Sequence, residues 1–183
     1  MKTKTATQIQ GGNPNGKRSA ADFYPTPQDV TLSLLRFLDM PKGTTIWECA
    51  CGEGDMVKAM QGSGYSVIAT DLQQGVNFLT EPLRECDWII TNPPFNMADK
   101  FIERCAAHGK PFALLLKAQY WHAAKRYGLF QRIPPAAVCP LTWRPDFLFK
   151  SGKRGAPLMD VIWCIWNPQH KGGTLYYPLK KEG

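Results

Sequence analysis

The chain has 183 residues, 44% of them apolar and 20% charged, with a formal net charge of +7, which suits one folded domain with its own core. No run of about eighteen apolar residues is present, which excludes a membrane-spanning helix. The polar N-terminus lacks an apolar signal region, so a cytosolic (cytoplasmic) protein is expected. The six cysteines form no C-x-x-C pair and read as free buried thiols, and no metal is expected.

The charge is unevenly divided along the chain. Residues 20–99 hold eleven acids and four bases, whereas residues 104–159 hold ten bases and one acid, Asp146. The first part can face a cationic or neutral small molecule. The second suits a polyanion, or else is a solvated basic face.

In chain order, residues 1–21 are polar and read as a disordered or loosely attached basic tail, followed by one domain over 22–183. Thr26, Pro27 and Asp29 read as N-cap, first-turn proline and acidic third position of a helix over 27–39, with Val30, Leu34 and Leu38 at helical spacing. Strands are predicted in Thr44–Ala50, Tyr65–Asp71 and Asp87–Thr91, with a helix after Asp55 closed by glycines. Residues 72–86 carry no clear pattern. An amphipathic helix over 97–107 is expected to turn Phe101, Ile102 and Cys105 to one side. Pro111–Lys117 is a continuous apolar run, the pattern of a strand buried on both faces. Residues 122–131 read as helical, and late strands are expected in 145–149, 160–166 and 174–179. Strand and helix alternate, which predicts a mainly parallel sheet that binds ligands at the carboxyl ends of its strands.

The unusual residues fall at those ends. Glu48, Cys49, Ala50, Cys51, Gly52, Glu53 and Gly54 follow a strand and open a helix, and the glycines permit a tight turn and close approach of a ligand. Asp71 ends the next strand, where a carboxylate can accept from ribose hydroxyls. Glu48, Glu53 and Asp55 would repel a pyrophosphate, and no Gly-Lys-Ser/Thr follows to make a P-loop. S-adenosylmethionine, with a sulfonium, an ammonium and no phosphate, fits better, although the acids could simply cap the helix.

Asn92, Pro93, Pro94 and Phe95 follow a buried strand. The prolines stiffen the backbone and remove two donors. Asn92 Oδ1 and the Pro93 carbonyl can then accept the two protons of an exocyclic amine. This frees the nitrogen lone pair and offsets the positive charge of methyl transfer. Phe95 can stack on a flipped base. Taken alone, such a tripeptide is more often a rigid turn.

Together these segments resemble the amino-methyltransferases of the N6-adenine type. Asp22, Phe23, Tyr24, Pro25, Thr26 and Pro27 are similar to motif X, Glu48–Gly54 to motif I, Asp71 to motif II, and Asn92–Phe95 to catalytic motif IV in its NPPF form. The order is that of the gamma group. The resemblance covers about residues 22–166. It implies a Rossmann-like class I methyltransferase fold, with a mainly parallel seven-stranded sheet flanked by helices. It also implies S-adenosylmethionine as cofactor and adenine in DNA as substrate. The implied cofactor residues are Tyr24, Pro25, Thr26, Glu48, Cys49, Ala50, Gly52, Gly54, Asp71, Leu72, Asn77, Phe78 and Asn92. Asn77 departs from the family's aspartate.

Only 88 residues follow Phe95, which leaves no room for a separate target-recognition domain, so target reading falls to loops 118–132 and 150–157. Lys117, Tyr120, Trp121, Arg144, Lys150, Lys153 and Arg154 are the expected nucleic-acid contacts, with Arg144 alternatively paired to Asp146 or Asp160. His108 and His122 are expected at the surface. Small enzymes of this kind look like those carried by bacteriophages. RNA N6-adenine methylation, protein glutamine methylation and a catalytically dead nucleic-acid-binding module are the competing readings.

Overall fold

Continuous apolar runs along the central strands, buried on both faces, dictate the architecture. A computed structural model describes residues 24–147 and 159–181. The tail over 1–21, Asp22, Phe23, Lys150, Lys153 and Arg154 lie outside the described residues. Helix α1 spans Gln28–Leu38, β1 Thr45–Glu48, α2 Asp55–Gly62, β2 Ser66–Ala69 and β3 Trp88–Thr91. Then come α3 Ala98–His108, β4 Phe112–Lys117, α4 Tyr127–Arg132, β5 Ala137–Pro140, β6 Val161–Trp166 and β7 Leu175–Tyr176. Short 3-10 turns occupy Leu72–Gln74, Phe95–Met97, Ala118–Trp121 and Ala124–Arg126.

The strands form one seven-stranded sheet in the order β2-β1-β3-β4-β6-β5-β7. Among these strands β6 alone runs against its neighbours, β4 and β5. The pleat sends successive residues to opposite faces. Ile46, Ile90, Ala113, Leu115, Trp163 and Ile165 join the core under α1 and α2. Trp47, Ile89, Leu114, Leu116, Ile162 and Cys164 join the core under α3. Phe112 to Leu116 are all buried, as expected for a strand covered on both sides. The Trp163 indole donates to the Val30 carbonyl (3.0 Å) and ties α1 to β6.

Three expectations need correction. Thr26 does not cap α1: the helix has no side-chain cap, and the Thr26 hydroxyl serves Asn92 instead. Residues 145–147 form no strand, and the missed strand is Ala137–Pro140. It has four residues, follows two prolines and an alanine and ends on Pro140, so it lacks a strand's usual signature, yet pairing on both sides holds it. His108 is half-buried against Trp47 and Phe78 (ring centroids 5.9 and 5.8 Å), because one helical turn beyond Arg104 brings it under the sheet edge. Burial, and secondarily the nearby Arg104, lowers its pKa.

Candidate active site

The chain enters the sheet at β1, places β2 on one side and returns to place β3 on the other. The loops leaving β1 and β3 therefore diverge, and open sheets leave a crevice at such a point. A cavity of about 260 Å³ lies there. It is lined by Tyr24, Pro25, Thr26, Glu48, Cys49, Ala50, Asp71, Leu72, Asn77, Phe78, Asn92 and Pro94. Residues from four separate sequence segments thus share one wall.

Asn92 is oriented by its neighbours. Its Nδ2 donates to Thr26 Oγ1 (3.0 Å) and to the Tyr24 carbonyl (3.4 Å). A carbonyl only accepts, so the amide nitrogen must face it. Asn92 Oδ1 is then left buried without a partner. A buried acceptor in that state lacks about 1–3 kcal/mol of compensation, which a donor entering the cavity would restore. The Pro94 carbonyl accepts from the Met97 N–H (2.8 Å) and starts the next turn. Pro93 is buried beside the cavity but does not line it.

Glu48 is fully buried. Its Oε1 accepts from the Thr91 hydroxyl and from the Ala50 N–H (3.2 Å), while Oε2 has no partner. Burial pushes the carboxyl from 4.5 up to about 8, against the pull of the Thr91 and Ala50 hydrogen bonds, with a small further rise from Asp71. Asp71 braces the loop: Oδ2 accepts from the Gly52 N–H and Oδ1 from the Gln73 N–H, both at 2.8 Å. Asn77 Oδ1 accepts from the Leu79 N–H (3.1 Å).

Gly52 and Gly54 do not line the cavity, contrary to the expectation of close ligand approach. Their backbones sit at φ +49° and +81°. A Cβ on Gly54 would meet only Val57 at 3.9 Å, so dihedral strain rather than space requires glycine. Sequence reading missed Met56, Gln73, Val76, Leu79, Asn96 and Met97 as cavity residues, and gave Phe101 only to a helix face. Their signal was proximity to the motifs.

A second hollow, of about 160 Å³, lies beside Phe95 and is lined also by Lys117, Gln119, Tyr120 and Arg126. The Lys117 ammonium stands 4.5 Å from the Phe95 ring centre, and Tyr24 packs against the same ring at 6.0 Å. Arg126 donates to Asp99 (2.9 Å) and to the Tyr120 carbonyl (2.9 Å), and lies over the Tyr120 ring (4.0 Å). The Tyr120 hydroxyl donates to Asp99. Trp121 is not part of this hollow; it packs on Phe130 at 4.6 Å, as the turn Ala118–Trp121 and α4 bring their aromatic faces together. Arg144 pairs with Asp160 (3.1 Å), both well exposed. His122 is exposed. Among the described residues no His, Cys, Asp and Glu group could hold a metal, and no helix is long and apolar enough to cross a membrane.

The sheet order, the flanking helices and a cavity at the switch point define the Rossmann-like class I methyltransferase fold. No family model matches the chain, and a search of curated proteins finds no similar sequence. Solved structures are similar. One is a type I restriction-modification methyltransferase subunit from Streptococcus thermophilus, with TM-score 0.61 and 15% identity over 87% of this chain and 48% of the other. Another is a modification subunit of a putative type I restriction enzyme from Vibrio vulnificus, with TM-score 0.60 and 16% identity over 90% of this chain and 48% of the other. A third is a dimethyladenosine transferase from Plasmodium falciparum, with TM-score 0.52 and 15% identity over 78% of this chain and 62% of the other. The chain spans about half the length of the first two. At these identities the likeness is one of fold.

Proposed function

We propose that the chain transfers the methyl group of S-adenosylmethionine to N6 of adenine in DNA. One observation carries the reading: Asn92 and Glu48 line the same cavity, and each keeps a buried side-chain oxygen, Oδ1 and Oε2, without a partner. The first suits an amine donor and the second a cationic ligand.

The cavity residues fit S-adenosylmethionine. Glu48 Oε2 is placed to receive an ammonium, and with a cation beside it the carboxyl would lose its proton. Asp71 keeps unused lone pairs for ribose hydroxyls, while Phe78 and the 70%-exposed Leu72 offer apolar flanks for a purine. When bound, the cofactor supplies an electrophilic methyl on sulfur. The chain's part is positioning and charge. Asn92 Oδ1 accepts a hydrogen bond from the amine, and the Tyr24 carbonyl and Thr26 hydroxyl keep the amide from rotating. No side chain needs to act as a nucleophile. The hollow beside Phe95 supports entry of a flipped base.

Adenine is favoured by the NPPF sequence and DNA by the basic second half, and the two type I restriction-modification neighbours are consistent with methyl transfer. RNA is the second reading, since the same residues would serve adenine there, and the dimethyladenosine transferase is consistent with adenine as the target. The test is incubation with methyl-labelled S-adenosylmethionine and, in parallel, duplex DNA, single-stranded DNA, RNA and protein. Label in N6-methyladenine of DNA is expected. Label confined to RNA or to glutamine would overturn the assignment.

A further inference from the structure

We propose that Lys180 and Lys181, in the segment that follows β7, hold DNA phosphates further along the rim from Asn92 than Lys117, on the same side of the active site. The inference rests on the DNA reading above and extends the surface to residues that no motif marks.

The placement follows from topology. β4, β5 and β7 run the same way, so Lys117, Arg144 and Lys180 all leave the sheet at the rim where Asn92 lies. The lysines do not hang on a loose end. The Leu179 N–H donates to the Pro140 carbonyl (2.8 Å), and the Thr142 N–H and hydroxyl donate to the Leu179 carbonyl (3.1 and 2.8 Å). Leu179 itself is 2% exposed. The backbone carrying the two cations is thus already ordered, and little further entropy is lost when they meet a ligand.

The segment also reaches the catalytic side. Lys181 lies 3.6 Å from Asp29 in the first turn of α1, three residues from Thr26, whose hydroxyl holds Asn92. The facing charges at this rim are Asp29, which partly balances Lys181, and Asp160, which balances Arg144. Among the described residues Lys180 has no carboxylate within ion-pairing distance, and it is exposed. From β4 to β7 is three strand steps, about 14 Å at the usual spacing. A duplex strand presents a charge about every 3.4 Å of axis, so about four phosphates span the gap. A strand laid along this half of the rim would therefore be held from Lys117 outward, flanking the base that enters beside Phe95.

The test is binding of the full chain to a fluorescein-labelled 20-base-pair DNA duplex across a salt series, with S-adenosylmethionine affinity measured alongside. For Lys180→Gln with Lys181→Gln, affinity is expected to fall about tenfold, and the slope of log K against log salt to become shallower by about two. Cofactor affinity should hold, and the paired Lys→Arg variant should bind as the unaltered chain does. Lys180→Gln alone breaks no ion pair among the described residues and should make the slope shallower by about one. Unchanged slopes in both glutamine variants, beside firm binding by the unaltered chain, would overturn this inference alone. An unaltered chain that binds no DNA would overturn it together with the DNA reading.

Discussion

At the residue scale, the site is organised by two unsatisfied oxygens. Asn92 Oδ1 is withheld from the protein's own donors because Thr26 and Tyr24 take the amide's other end. Asn92→Ala is expected to lower methyl transfer by about 10²–10³, with S-adenosylmethionine affinity within about threefold by calorimetry. Loss of cofactor binding instead would make Asn92 a fold residue. Glu48 makes a pH prediction. It titrates near 4.5 when unfolded and near about 8 when folded, so the folded chain keeps a proton that the unfolded chain has lost. Its contribution to stability is full below about pH 4.5, falls as pH rises to about 8, and is level above. The urea midpoint of the unliganded protein should therefore drop between about pH 5 and 8, and Glu48→Gln should flatten that drop. An equal slope in the variant would show that the buried carboxyl is not the source.

At the element scale, the start of α1 is the informative case. Thr26, Pro27 and Asp29 spell a helix start, and a helix does start at Gln28. The hydroxyl that sequence alone assigns to the cap is drawn away by a residue 66 positions on. Thr26→Val separates the two roles. A cap would cost about 1 kcal/mol of stability. Here the expected loss is about tenfold in transfer rate, near the value of one hydrogen bond, with the urea midpoint little changed. The turn into α2 makes the converse point. Gly54 stands at φ +81° with open space around it, so Gly54→Ala should cost about 1–2 kcal/mol through backbone strain, read in the urea midpoint. Residues 72–86, illegible in the sequence, contain one 3-10 turn and are otherwise irregular. Their order comes from Asp71 capping that turn and Phe78 packing on Trp47 and Phe101, contacts that no local periodicity records.

At the scale of the whole molecule, the division of charge along the chain becomes a division across the sheet. Glu48, Asp55 and Asp71 line the cavity on one half of the rim. Lys117, Arg126 and Arg144 follow the other half. The two ligands should therefore respond differently to ionic strength. From about 50 to 200 mM salt, duplex affinity is expected to fall tenfold or more, while S-adenosylmethionine, held in a partly enclosed cavity, should change little. A flat duplex profile in titration would count against the basic half as the polyanion surface.

Periodicity and composition alone determined the mainly parallel sheet, most of its strands, the two glycine-bearing turns and the segments that meet at the switch point. Those signals are local: side-chain alternation, helical spacing and turn chemistry act over a few residues. Tertiary structure decided what those signals cannot carry. It turned Asn92 so that one oxygen stays unmet, recruited Thr26 from its cap, paired Ala137–Pro140 into the sheet, and set Lys180 and Lys181 on the rim where Asn92 lies. Each depends on partners tens of residues apart, and folding brings such partners together by burying a common core rather than by any preference written in their own neighbourhood.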